Sequence, residues 1–141
     1  MRALLLIALL ISLPLAASAK DSSFPTTGTF SDVRCIEDEG DVLGLEVSIL
    51  GGFDGYESTY KYYAVVQFSE GVAGIPQLVP VNMEGNNISF TANYLGQFDV
   101  KFSGAITKEG LVGSFAKPLD QKVELPRHAS FWQSPGNLCY R

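Results

Sequence analysis

The sequence predicts an all-β fold: one antiparallel, up-and-down β-barrel of about eight short strands, with a two-sheet β-sandwich as the alternative. Three observations carry that prediction. Apolar residues recur at every second position along several stretches, which is the period of a half-buried strand. Glycine, proline and asparagine break these stretches at close spacing, and nothing after the N-terminal leader keeps a helical period. The breaks are only a few residues long, which favours a meander over a Greek key with its long crossing connection.

The chain has 141 residues and opens on a leader. Arg2 supplies a positive charge, Ala3 to Leu15 is almost wholly apolar, and Ala17-Ser18-Ala19 has the small residues of a cleavage site. Residues 1–19 therefore read as a cleaved signal peptide, 20–27 as a flexible lead-in and 28–141 as a single domain. The apolar run is too short for a bilayer-spanning helix, so no stable membrane anchor is expected. A formal charge of −5, one unit more negative once Arg2 is lost, disfavours nucleic acid and anionic membrane surfaces as partners. Cys35 and Cys139 are the only cysteines. In an exported chain, periplasmic or extracellular, they are expected to form one disulfide.

Thr29 to Ile36, rich in β-branched and aromatic residues, is the first strand, and it ends in the acidic turn Glu37-Asp38-Glu39-Gly40-Asp41. Leu43, Leu45, Val47 and Ile49 follow in phase, and Gly51 to Gly55 is expected to close that hairpin. Tyr60, Tyr62, Ala64, Val66 and Phe68 form the next set. Tyr63 and Val65 make its other face partly apolar too, which points to a covered face or an exposed aromatic patch. Leu78 to Met83 contains Pro80 and reads as an edge or bulged strand.

The most regular stretch is Asn87 to Phe115. For Ile88, Phe90, Ala92 and Tyr94 to share a core with Phe98, Val100 and Phe102, the intervening loop needs odd length. Leu95-Gly96-Gln97 meets that condition and pairs Phe90 with Phe102. The following turn needs even length if Leu111 and Phe115 are to join the face of Phe102 and Ile106. Glu109-Gly110 is the simplest choice and sets Phe115 opposite Gly104. Gln121 to Leu125 is the last strand, and the tail from Phe131 to Cys139 is loop-like.

No constellation in the chain points to catalysis, to a bound metal or to a cofactor. His128, the only histidine, reads as a solvated loop residue, and there is no Gly-x-Ser-x-Gly nucleophile elbow. The cluster Glu37, Asp38, Glu39 and Asp41 lacks the spacing of a twelve-residue calcium loop and reads as a solvated turn. Asn87-Ile88-Ser89 matches the N-glycosylation pattern. Tyr56, Tyr63 and Trp132 fall outside the in-phase aromatic sets and are the candidate ligand or partner surface.

In outline the pattern resembles small exported β-barrels of the avidin and lipocalin type, through its glycine-punctuated strands from Gly28 to Leu125 and its one terminal disulfide. The resemblance implies a barrel and assigns no residue a role; Gly28-Thr29-Phe30 stands where lipocalins carry Gly-x-Trp. The expected function is non-enzymatic binding of a small apolar or amphipathic ligand in the interior or mouth. The alternative is a protein interaction or inhibitor module with a filled core.

Overall fold

The structure, a computed structural model, describes residues 24–53, 55, 59–133 and 139. The leader, Lys20 to Ser23 and Tyr56 lie outside the described residues. The strands are β1 (Gly28–Ser31), β2 (Arg34–Ile36), β3 (Asp41–Phe53), β4 (Tyr60–Ala73), β5 (Gln77–Glu84), β6 (Asn87–Tyr94), β7 (Phe98–Ile106), β8 (Gly110–Phe115) and β9 (Lys122–Pro126). All pair antiparallel in the order β1-β3-β4-β5-β6-β7-β8-β9, with β2 also on β3. A bridge between Phe30 and Arg127 brings β1 against the end of β9, so the sheet is nearly closed into a barrel.

Inside, alternate residues meet as the period predicts. Phe90 stacks on Phe102 with ring centroids 4.9 Å apart, and Phe115 lies 5.3 Å from Phe102 and 5.5 Å from Phe68. Ile49, Val66, Val100, Ile106, Leu111 and Leu125 belong to this core, all of them buried. The middle of the barrel is thus filled with side chains.

Four local expectations are corrected. The first strand is interrupted at Asp32 and Val33, although β1 and β2 keep one register along β3. There the Asp32 carboxylate Oδ1 accepts the Leu45 N–H at 2.7 Å, in place of a backbone ladder bond. Gly51 and Gly52 belong to β3 rather than to a loop, pairing with Tyr62 and Lys61. The Tyr60 ring occupies the space a Cβ at Gly51 would take, so glycine here admits an aromatic and does not make a turn.

The β7–β8 turn is even, but it consists of Lys108 and Glu109. The Thr107 side chain fixes it: its Oγ1 accepts the Gly110 N–H at 3.1 Å, while the Thr107 N–H donates to the Gly110 carbonyl at 2.7 Å. Phe115 therefore faces Phe102, and Gly104 faces Gly113. The ring that covers the glycines is that of Phe102, whose Cζ lies 2.7 and 2.6 Å from where Cβ atoms at Gly104 and Gly113 would sit.

Of the lead-in, Phe24 to Thr27 is tethered. Arg127 donates from Nη2 to the Pro25 carbonyl at 2.7 Å and from Nη1 to the Thr27 carbonyl at 2.9 Å. Its guanidinium also lies over the Phe30 ring, 4.7 Å from the centroid. Phe24 packs against the core. One side chain of the last strand's end thus fastens the first strand and the residues before it.

Candidate functional site

The register places the site. β5 pairs with β4 over Gln77 to Val81, but with β6 only over Asn82 to Glu84. Pro80 falls where β5 pairs with β4 alone, in keeping with its missing donor. The rest of the β5–β6 seam is spanned by a side chain: Gln77 Nε2 donates to the Asn93 carbonyl at 2.6 Å, and Gln77 Oε1 accepts the Asn93 N–H at 2.7 Å. On the far side, among the described residues, β9 meets β1 at Phe30 and Arg127 and around the bond from the His128 N–H to the Thr29 carbonyl. Both seams therefore close at the end that carries the β5–β6 and β7–β8 turns. Both open toward the other end, where the two halves of the sheet splay apart.

Two clefts occupy the splayed end. One, of about 320 Å³, lies between β9 and the β1–β3 region and is lined by Asp32, Arg34, Leu43, Tyr94, Lys122 and Glu124 among others. The second, of about 550 Å³, is walled by Val72, Ala73, Ile75 and Leu95, with Phe68 and Glu70 shared between the two. Val72 and Ile75 are 70% and 85% exposed, so this rim holds apolar surface in water. Between the clefts, Tyr94 Oη on β6 donates to Glu70 Oε2 on β4 at 2.5 Å, tying one half of the sheet to the other. The Tyr94 ring packs edge-on against Phe68 and stacks on Phe98.

That bond fixes the chemistry of Tyr94. The hydrogen bond to Glu70, then burial, then the negative charge of Glu70 push its hydroxyl from 10.0 up to about 12. Because the folded value is raised, the tie's contribution is fully present below pH 10 and is lost as pH rises through the folded value near 12. Urea midpoints measured across that window are expected to fall more steeply for the native protein than for Tyr94→Phe. Identical slopes would show that the tie does not contribute.

The structure separates the candidate surface residues. Tyr63 lies on the outer face of β4, 39% exposed, in a row with Leu50 of β3 and Pro80 of β5. Leu78, 67% exposed, sits in the next row beside Val65. This is the exposed alternative that the two-faced apolar pattern of β4 allowed. Trp132 is half-buried in a 3-10 turn, Phe131–Gln133, and packs edge-on against Phe131. Glu46, buried on the outer face of β3, holds that turn: it accepts from Ser130 Oγ at 2.6 Å and from the Phe131 N–H at 2.9 Å. From Tyr63 to Gln67, the β4 partner of Glu46, is four residues, or ~13 Å along the strand. Tyr63 and the tail thus share the outer face of the β3–β4 pair without forming one cluster by register.

The Cys35–Cys139 disulfide is formed and anchors the far end of the tail to β2, which is compatible with an oxidising compartment. Glu37, Asp38 and Glu39 are exposed in the β2–β3 turn, as a solvated turn requires, and His128 is exposed. Sequence reasoning missed Glu70, Val72 and Ile75. Only Val72, Ala73 and Ile75, apolar residues inside a stretch punctuated by glycine and proline, signal the apolar rim, and nothing signals Glu70. No family model matches the chain, and no curated protein or solved structure matches it.

Proposed function

We propose that this is an exported, non-enzymatic binding protein that takes a small amphipathic ligand at the splayed end of its barrel. The interior is not the site in this reading, since Phe68, Phe90, Phe102 and Phe115 fill it. The observation that carries the proposal is the cleft of about 550 Å³ with exposed Val72 and Ile75 at its rim, beside a carboxylate. Its size falls within the range of small-molecule sites, and barrel mouths are a usual place for them. Export draws support from the leader and from the disulfide.

Native mass spectrometry of the protein from its own compartment tests this. The expected species starts at Lys20 and carries a small organic adduct that an Ile75→Ser variant binds more weakly. Adduct-free protein from every preparation, or an adduct unaffected by Ile75→Ser, would count against the mouth as the site.

A second reading, a protein partner docking on the outer face of β3 to β5, is favoured by the adjacent exposure of Leu50, Tyr63 and Leu78. Soluble proteins rarely leave such side chains grouped in water without a use. A photo-crosslinker placed at Tyr63 should then yield one discrete adduct that Leu78→Asp abolishes. Diffuse labelling would remove this face from consideration.

A further inference from the structure

We propose that the molecule bound at the splayed end is a cationic amphiphile, an alkyl or aryl body ending in an ammonium group, with Glu70 as the residue that reads its charge. The inference rests on the mouth reading above and adds the chemical class. Among the described residues, Glu70 is the one ionisable group lining the larger cleft; its neighbours there are the apolar Val72, Ala73, Ile75 and Leu95. The two amides in the lining are already engaged. Gln77 and Asn93 satisfy each other through the backbone of Asn93, and Asn93 Nδ2 donates to Asp99 at 2.8 Å. They leave the carboxylate as the strongest polar feature a ligand would meet.

Glu70 is held but not neutralised. Its Oε2 accepts from Tyr94, and among the described residues it has no ion pair and Oε1 accepts no hydrogen bond. The formal charge of −5 favours cations over anions on approach. An apolar wall removes the body of the ligand from water, while the open rim leaves the head partly hydrated. Discrimination by charge is therefore expected at the level of an exposed ion pair, about twofold to fivefold.

Isothermal titration of the mature protein with octyltrimethylammonium, octyl sulfate and octanol tests both layers of the argument. The expected result is saturable binding of all three, with the ammonium about twofold to fivefold tighter than the sulfate. Glu70→Gln, which keeps an acceptor for Tyr94, should erase that preference and leave octanol unchanged. Ile75→Ser should weaken all three. Equal affinities for ammonium and sulfate in the unaltered protein would overturn the assignment of class and leave the mouth reading standing. Absence of saturable binding by any of the three would overturn both.

Discussion

Phe102→Ala is expected to lower the unfolding free energy by about 3 to 5 kcal/mol, the range for truncating a fully buried phenylalanine. Phe102 is 0% exposed and touches the rings of Phe90 and Phe115, so its loss removes contacts on two neighbouring strands at once. It also uncovers Gly104 and Gly113, which have no side chains of their own to move into the hole. Collapse around the cavity is thereby limited, and residual cavity volume is what drives the upper part of the range. Urea unfolding followed by tyrosine and tryptophan fluorescence would measure the change. A loss below about 1 kcal/mol would mean that the site repacks and that the three-ring centre is not what fixes the core.

The second large effect is expected from Cys35→Ser combined with Cys139→Ser. The two cysteines stand 104 residues apart, and the chain-entropy model assigns a loop of that size about 4 to 5 kcal/mol, which is an upper figure. The loss should arise mostly in the unfolded chain. In the folded protein the tail stays docked through Glu46, Ser130 and Phe131, which do not depend on the bridge. The double variant should therefore show a lower urea midpoint together with a steeper dependence on urea, because the released unfolded chain exposes more surface. A lower midpoint with an unchanged slope would place the effect in the folded state instead, and Glu46→Ala would then be expected to reproduce part of it.

Much of the barrel was legible because period and parity are local. Phe90 meets Phe102 and Tyr94 meets Phe98 as the alternation and an odd loop require. The β7–β8 register was not legible, since parity decides which face a residue takes and leaves the offset open. Lys108-Glu109 and Glu109-Gly110 both satisfy it, and the Thr107 hydroxyl decides between them. The splay was out of reach for a related reason. Nothing in the alternation of β5 says that its pairing with β6 stops at Asn82, or that the Gln77 side chain spans the remainder.

The candidate surface divides in the same way. Tyr63 was legible because it is out of phase with the core set, and it is exposed. The setting of Trp132 was not, because it depends on Glu46 clasping Ser130 from 84 residues away. Nothing in the sequence singles out Glu70. Only its bond to Tyr94, across 24 residues and two strands, draws attention to it.

The fastening of Thr27 by Arg127, 100 residues later, governs when the molecule can be assembled. Each hairpin from β3 to β9 can form as its own residues become available, but the ring has no closing partner until nearly the whole chain is present. A chain delivered N-terminus first holds the outer edge of β1 unpaired throughout, and free strand edges are where aggregation begins. Long-range closures of this kind are also slow. The arrival of residues 127 to 130, rather than the completion of any hairpin, ends that exposure. A chain cut short before Arg127 would keep its hairpins and stay open along the seam.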